Sequence, residues 1–145
     1  MKKTSIRIVL GLALSAMVFT ACKKDKDEAV TVTKENLVGT YKLTEMKMKV
    51  TGAPEMDIFN LYFESCQRDD TYTLAADFKV QVKDQGTVCA DPNNYESTWS
   101  MDGNYVEIDG TAGKVKSFDG KTLVLEAEGT EGGMTGTVTA KFVKQ

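Results

Sequence analysis

Apolar and polar residues alternate with a period of two along most of the chain beyond residue 35, the pattern of strands with one buried face. From Glu35 to Val50 the sequence reads as one long strand. Tyr41 and Leu43 share one parity, and Met46, Met48 and Val50 share the other. A strand cannot change phase and keep one face buried unless a residue is inserted, so a β-bulge is expected near Thr44-Glu45. Thr51-Gly52-Ala53-Pro54 reads as a turn. Met56, Phe59, Asn60 and Phe63 fall at helical spacing, which predicts a short helix or helical turn between Met56 and Ser65. Thr71–Ala75 and Asp77–Lys83 follow as a hairpin, the second strand placing Phe78, Val80 and Val82 on one face.

The second half is more regular. Strands are expected at Glu96–Met101, Asn104–Ile108, Lys114–Phe118, Thr122–Glu128 and Thr135–Val143, with a Gly-rich turn from Gly129 to Gly133. Asp102-Gly103, Asp109-Gly110 and Asp119-Gly120 separate them. Asp-Gly between alternating segments is a hairpin signal, because both residues tolerate positive φ. Eight or nine strands without a crossover helix predict an all-β fold: an antiparallel up-and-down barrel of about eight strands with a short helical turn. A two-sheet β-sandwich is the alternative.

The first residues break the alternation. Met1-Lys2-Lys3 and Arg7 precede an apolar run from Ile8 to Phe19. That run is about 12 residues, short of the roughly 20 that span a bilayer, and it reads as a secretory signal. Phe19-Thr20-Ala21-Cys22 resembles the bacterial lipobox, in which the chain is cut before a cysteine that becomes lipidated. The resemblance implies a signal peptide over 1–21, a lipid on Cys22 and a membrane partner held through that lipid. Lys23-Lys24-Asp25-Lys26-Asp27-Glu28 is wholly charged and reads as solvated tether, with the tether running over 22–34 and the barrel domain over 35–145. The charged stretch resembles the lysine-plus-acidic export signals of Bacteroidota-type lipoproteins. The expected location is the outer membrane, at its periplasmic face or the cell surface.

The formal charge of −3 becomes about −6 once Lys2, Lys3 and Arg7 are removed. A nucleic-acid partner, which needs a basic face, is not expected. Of three cysteines, Cys22 is assigned to the lipid. Cys66 and Cys89 remain as an even pair in an exported domain, which predicts a disulfide. It closes a loop of about 24 residues, worth roughly 3 to 3.5 kcal/mol in the chain-entropy account. A reactive thiol would need a base or charge beside it, and the chain has no histidine. Two thiols without histidine and without Cys-x-x-Cys spacing do not make a zinc site, and no metal is expected.

Leu37-Val38-Gly39-Thr40-Tyr41-Lys42-Leu43 resembles the Gly-x-Trp opening of lipocalins, with Tyr41 in the Trp position. Cys66-Gln67-Arg68-Asp69-Asp70-Thr71-Tyr72-Thr73, followed by Lys83 to Cys89, resembles bacterial lipocalin-like lipoprotein domains. In that pattern the two cysteines pair. Ser97-Thr98-Trp99-Ser100-Met101 and Lys121-Thr122-Leu123-Val124-Leu125 resemble later strands of the same family. The resemblance runs from about Leu37 to Lys144. It implies a lipocalin-like β-barrel with the capacity to hold a small hydrophobic ligand, and it names no ligand.

Catalytic chemistry is thin. Without histidine, Ser-His-Asp and Cys-His arrangements are excluded. There is no P-loop or dinucleotide fingerprint, and no cofactor is expected. Asp69-Asp70 is a carboxylate pair, as a glycosidase needs, but it also reads as a solvated strand start beside Arg68. The chain is expected not to be an enzyme. Tyr41, Met46, Met48, Phe78, Trp99 and Met101 sit on expected strands and are the candidates to line a ligand site, since methionine adapts to varied apolar guests. The same residues would serve equally as an ordinary packed core. Two functions therefore stand side by side: a carrier of a small hydrophobic molecule, and an envelope interaction or structural protein with a solid barrel.

Overall fold

The computed structural model describes residues 30–91, 94–131 and 134–145. The expected signal peptide, Cys22 and the charged run to Glu28 lie outside these residues.

A four-residue helix, α1 (Lys34–Leu37), leads into strand β1 (Gly39–Val50). Thr33 caps the helix, its Oγ1 accepting from the Asn36 amide at 3.3 Å. The long strand expected from Glu35 therefore starts at Gly39, because a Thr cap three residues ahead of a free amide favours a helical turn. The expected helix from Met56 is also divided. A short strand, β2 (Met56–Asp57), precedes α2 (Phe59–Tyr62), and Asp57 turns the chain by accepting from the Phe59 amide at 2.9 Å.

Seven further strands follow in meander order: β3 (Thr71–Leu74), β4 (Lys79–Lys83), β5 (Tyr95–Asp102), β6 (Tyr105–Ile108), β7 (Thr111–Phe118), β8 (Thr122–Glu131) and β9 (Met134–Lys144). Every neighbouring pair is antiparallel, and β9 returns to pair with β1 from Tyr41↔Lys144 to Val50↔Gly136. Eight strands thus close into a barrel, with β2 added beside the far end of β1. Closure removes the exposed edges that a sandwich would keep.

The phase slip in β1 is a register shift between Leu43 and Glu45, as expected from the sequence. It lets Tyr41 and Leu43 face inward below the bulge while Met46 packs against the core above it. Asp109 (φ 50°) and Gly110 (φ 76°) both have positive φ, the pattern of a type I′ hairpin turn. Gly113 faces β8 so closely that a Cβ would lie 3.0 Å from the Glu126 carbonyl oxygen, so any larger residue would push these two strands apart.

Two further sequence expectations need correction. Phe78 does not share the inward face of Val80 and Val82. It sits in the turn before β4 with φ 65°, because the chain reverses at Asp77, and its ring lies outside against Trp99 at 5.0 Å. Gly129 is not a turn residue either. It pairs with Gly136 within the β8–β9 ribbon, which extends to Glu131↔Met134.

The core is drawn from every barrel strand and from α1. Leu37, Tyr41, Leu74, Trp99, Leu123 and Phe142 are among its largest buried members. Val30 and Val32, within the stretch read as tether, pack against it. The Cys66–Cys89 disulfide is formed, with Cα atoms 5.3 Å apart. It ties the segment before β3 to the loop after β4.

Candidate functional site

The two ends of the barrel are built differently. At the end where β1 begins, α1 lies across the opening and inserts Leu37, which is fully buried. The Tyr41 hydroxyl donates to the Leu37 carbonyl at 2.8 Å, and the Trp99 indole N–H donates to the Ala75 carbonyl at 2.8 Å. Burial raises the Tyr41 phenol to about 12. Lys144 closes the edge, its Nζ donating to the Asn36 carbonyl at 2.9 Å and lying 5.4 Å from the centre of the Tyr41 ring. Buried polar groups here find partners, so this end is sealed.

The opposite end carries a cleft of about 250 Å³. Its floor is Leu43, Phe63, Ile108 and Phe142, an apolar bed continuous with the core. Tyr62 and Gln67 border it from the segment around α2. Tyr72, Tyr95, Asp109 and Thr111 border it from the strands and the β6–β7 turn. Strand register explains the convergence. Tyr72 and Tyr95 both stand opposite Val82, on β3 and β5 respectively, and residues directly opposite across a sheet share one face. Val82 is fully buried, so the two tyrosines are directed inward with it.

Tyr72 meets the Phe142 ring edge-on, with centroids 5.9 Å apart and planes at 89°. The Tyr95 hydroxyl donates to an Asp109 carboxylate oxygen. Burial, then the charges of Asp70 and Asp109, raise the Tyr72 phenol to about 12. Burial, then the Asp109 hydrogen bond and its charge, raise the Tyr95 phenol as well. Two carboxylates thus set the field in which both phenols stand, and no Lys or Arg borders the cleft.

A family model described as a lipocalin-like domain matches residues 37–125, more than half the chain. The chain belongs to the lipocalin-like domain family. No curated protein and no solved structure matches it.

In the lipocalin-like barrel none of the six residues singled out in the sequence borders the cleft, although Tyr41 stands opposite Tyr72 and Trp99 opposite Ile108 in the sheet. Tyr41 and Trp99 are buried at the sealed end. Phe78 lies outside, partly covering Trp99. Met46 and Met101 pack against the core, and Met48 lies above the bulge, half-buried. Cys66 and Cys89 are joined as expected. The cleft residues Tyr72, Tyr95 and Asp109 were not distinguished by sequence, because they come from separate segments and meet only through register. Their one local signal is a tyrosine in place of an aliphatic residue on an inward strand position.

Among the described residues no group of His, Cys, Asp and Glu is arranged to hold a metal ion. Asp69, paired with Asp70 in the sequence reading, points to the Cys89 loop instead. Its Oδ2 accepts from the Thr87 amide at 3.0 Å, and Asp84 Oδ2 accepts from the Cys89 amide at 3.0 Å. These carboxylates therefore order the disulfide loop.

Proposed function

We propose that this lipocalin-like chain is a lipid-anchored envelope protein that binds a small ligand in its barrel mouth, and that it is a binder and not an enzyme. The observation that carries the reading is the single-sided construction of the barrel: one end sealed by α1, the other holding an apolar-floored cleft with a few polar groups at its border. Ligand sites combine apolar walls with a few orienting polar groups in this way. A volume of about 250 Å³ lies below the roughly 300 to 1,000 Å³ of sites for drug-sized molecules, so the ligand is small.

The anchor fits this arrangement. The Val30 amide donates to the Phe118 carbonyl at 3.1 Å, on the sealed end. The eight residues from Cys22 to Val30 reach at most about 28 Å. A lipid on Cys22 would therefore hold the sealed end within about 28 Å of the membrane. Cys22→Ser is expected to abolish acylation and release the protein from membranes; fatty-acid labelling that persists in the variant would refute the site.

Native mass spectrometry of the full chain after incubation with an envelope extract tests the ligand reading. A reproducible bound mass, lost in Thr111→Trp where the indole fills the cleft, is the expected result. A clean unbound mass across many extracts would overturn it.

A second reading, docking of a protein partner, is favoured by one observation. Leu61 and Tyr62, neighbours on α2, are 77% and 66% exposed. Clustered exposed apolar side chains mark interaction surfaces. Surface crosslinking in cells through Tyr62 would recover the partner, and its failure would leave the mouth to the ligand alone.

A further inference from the structure

The cleft carries more than a size; it carries a sign. Five of its bordering residues are aromatic: Tyr62, Phe63, Tyr72, Tyr95 and Phe142. Asp109 stands among them, held by the Tyr95 hydroxyl. Asp70, buried just before β3, adds its charge to the environment of Tyr72 and Tyr95 without bordering the cleft. The nearest basic side chain in sequence, Arg68, directs its Nε to the Phe63 carbonyl at 3.2 Å and does not border the cleft.

We propose that the ligand is a small organic cation, an ammonium group on an apolar body, with the ammonium among the tyrosine rings beside Asp109 and the body on Leu43, Ile108 and Phe142. This inference rests on the ligand reading above and narrows it to a chemical class.

Three physical arguments converge. Aromatic faces attract cations through their quadrupoles, most strongly where the site is partly desolvated. A carboxylate fixed by a phenol supplies a charge partner without reorganisation on binding. An anionic ligand would meet the Asp109 carboxylate with no Lys or Arg among the residues that border the cleft, and this like-charge contact rejects it. A neutral apolar molecule of the same shape gains the floor but not the charge. The phosphate of a lipid headgroup would be repelled for the same reason as any anion, which favours a free amine over a phosphoethanolamine.

The test uses four soluble probes of similar size on the full chain in a nonionic detergent, read by isothermal titration calorimetry. They are phenethylamine, 2-phenylethanol, phenylacetate and glycerophosphoethanolamine. The expected result is that phenethylamine binds about ten-fold or more tighter than phenylethanol, and that phenylacetate does not bind. Asp109→Asn should remove about ten-fold of the amine affinity and leave phenylethanol unchanged, which separates the site from partition into detergent. Glycerophosphoethanolamine binding as tightly as phenethylamine would keep the ammonium recognition and place its source in lipid headgroups. Preferred binding of the neutral or anionic probe would overturn the cation assignment while leaving the ligand reading intact. No binding of any probe would overturn the cation assignment, and the extract experiment above would then decide the ligand reading separately.

Discussion

The sealed end and the mouth of this barrel use the same residue types for opposite purposes. Tyr41 at the sealed end and Tyr72 and Tyr95 at the mouth are all inward or edge tyrosines, and burial raises all three phenols. Tyr41 spends its hydroxyl on a backbone carbonyl 2.8 Å away and is fully covered. Tyr95 gives its hydroxyl to a carboxylate at the border of a cleft and stays 39% exposed. A phenol whose partner is buried backbone closes a structure, while a phenol whose partner is a charge beside open space prepares a surface. The lesson is that the environment of the hydroxyl, and not the residue type, separates core from site.

The largest way to break this contrast is to empty the sealed end. Trp99→Ala removes the biggest buried side chain and is expected to cost about 3 to 5 kcal/mol in urea unfolding. A loss below about 1 kcal/mol would mean that this end is not the stabilising one. Next is the disulfide. Cys66→Ala with Cys89→Ala should lower stability by about 3 kcal/mol, measured by the same unfolding curve. Because this bond braces the mouth side, its loss should also raise hydrogen exchange in the Cys89 loop more than around Trp99.

Tyr41→Phe leaves the Leu37 carbonyl without its hydroxyl and should cost about 1 to 2 kcal/mol. Tyr95→Phe, whose hydrogen bond is exposed, should change stability by less than about 0.5 kcal/mol. Equal losses for the two substitutions would erase the distinction between the ends. The same tyrosine supplies a pH signature. Its folded pKa of about 12 lies above the ordinary 10.0, so the folded state holds the proton that the unfolded chain releases first. Stability from Tyr41 is therefore fully present below pH 10 and is lost as pH rises toward 12. Tyr72 titrates in the same window. Alkaline unfolding should be shallower in Tyr41→Phe, and an unchanged profile would contradict the assignment.

Most of the barrel was legible in the sequence, for physical reasons. The change of apolar parity between Leu43 and Met46 located the bulge, because a strand cannot hide such a slip. Asp109-Gly110 located a hairpin because only such residues tolerate both positive φ values. Phe78 misled because its parity matched Val80, while the reversal at Asp77 gave it a left-handed backbone and an outside position. The mouth was not legible. Tyr72, Tyr95 and Asp109 belong to β3, β5 and the β6–β7 turn, and only the register through Val82 makes two of them neighbours. Asp109 carried a complete local explanation as a turn residue, which concealed its second role. The methionines drew attention by their chemistry, yet Met46 and Met101 pack against the core and Met48 lies outside the cleft border.

The central claim, that the barrel binds through one end and is solid at the other, is tested most directly by amide chemical-shift mapping on the full chain with the extract fraction that binds it. The account predicts shifts at Leu43, Phe63, Tyr72, Ile108 and Thr111, with Leu37, Ala75 and Phe118 at the sealed end unmoved. Shifts confined to the sealed end or to the outer wall of the barrel would contradict it.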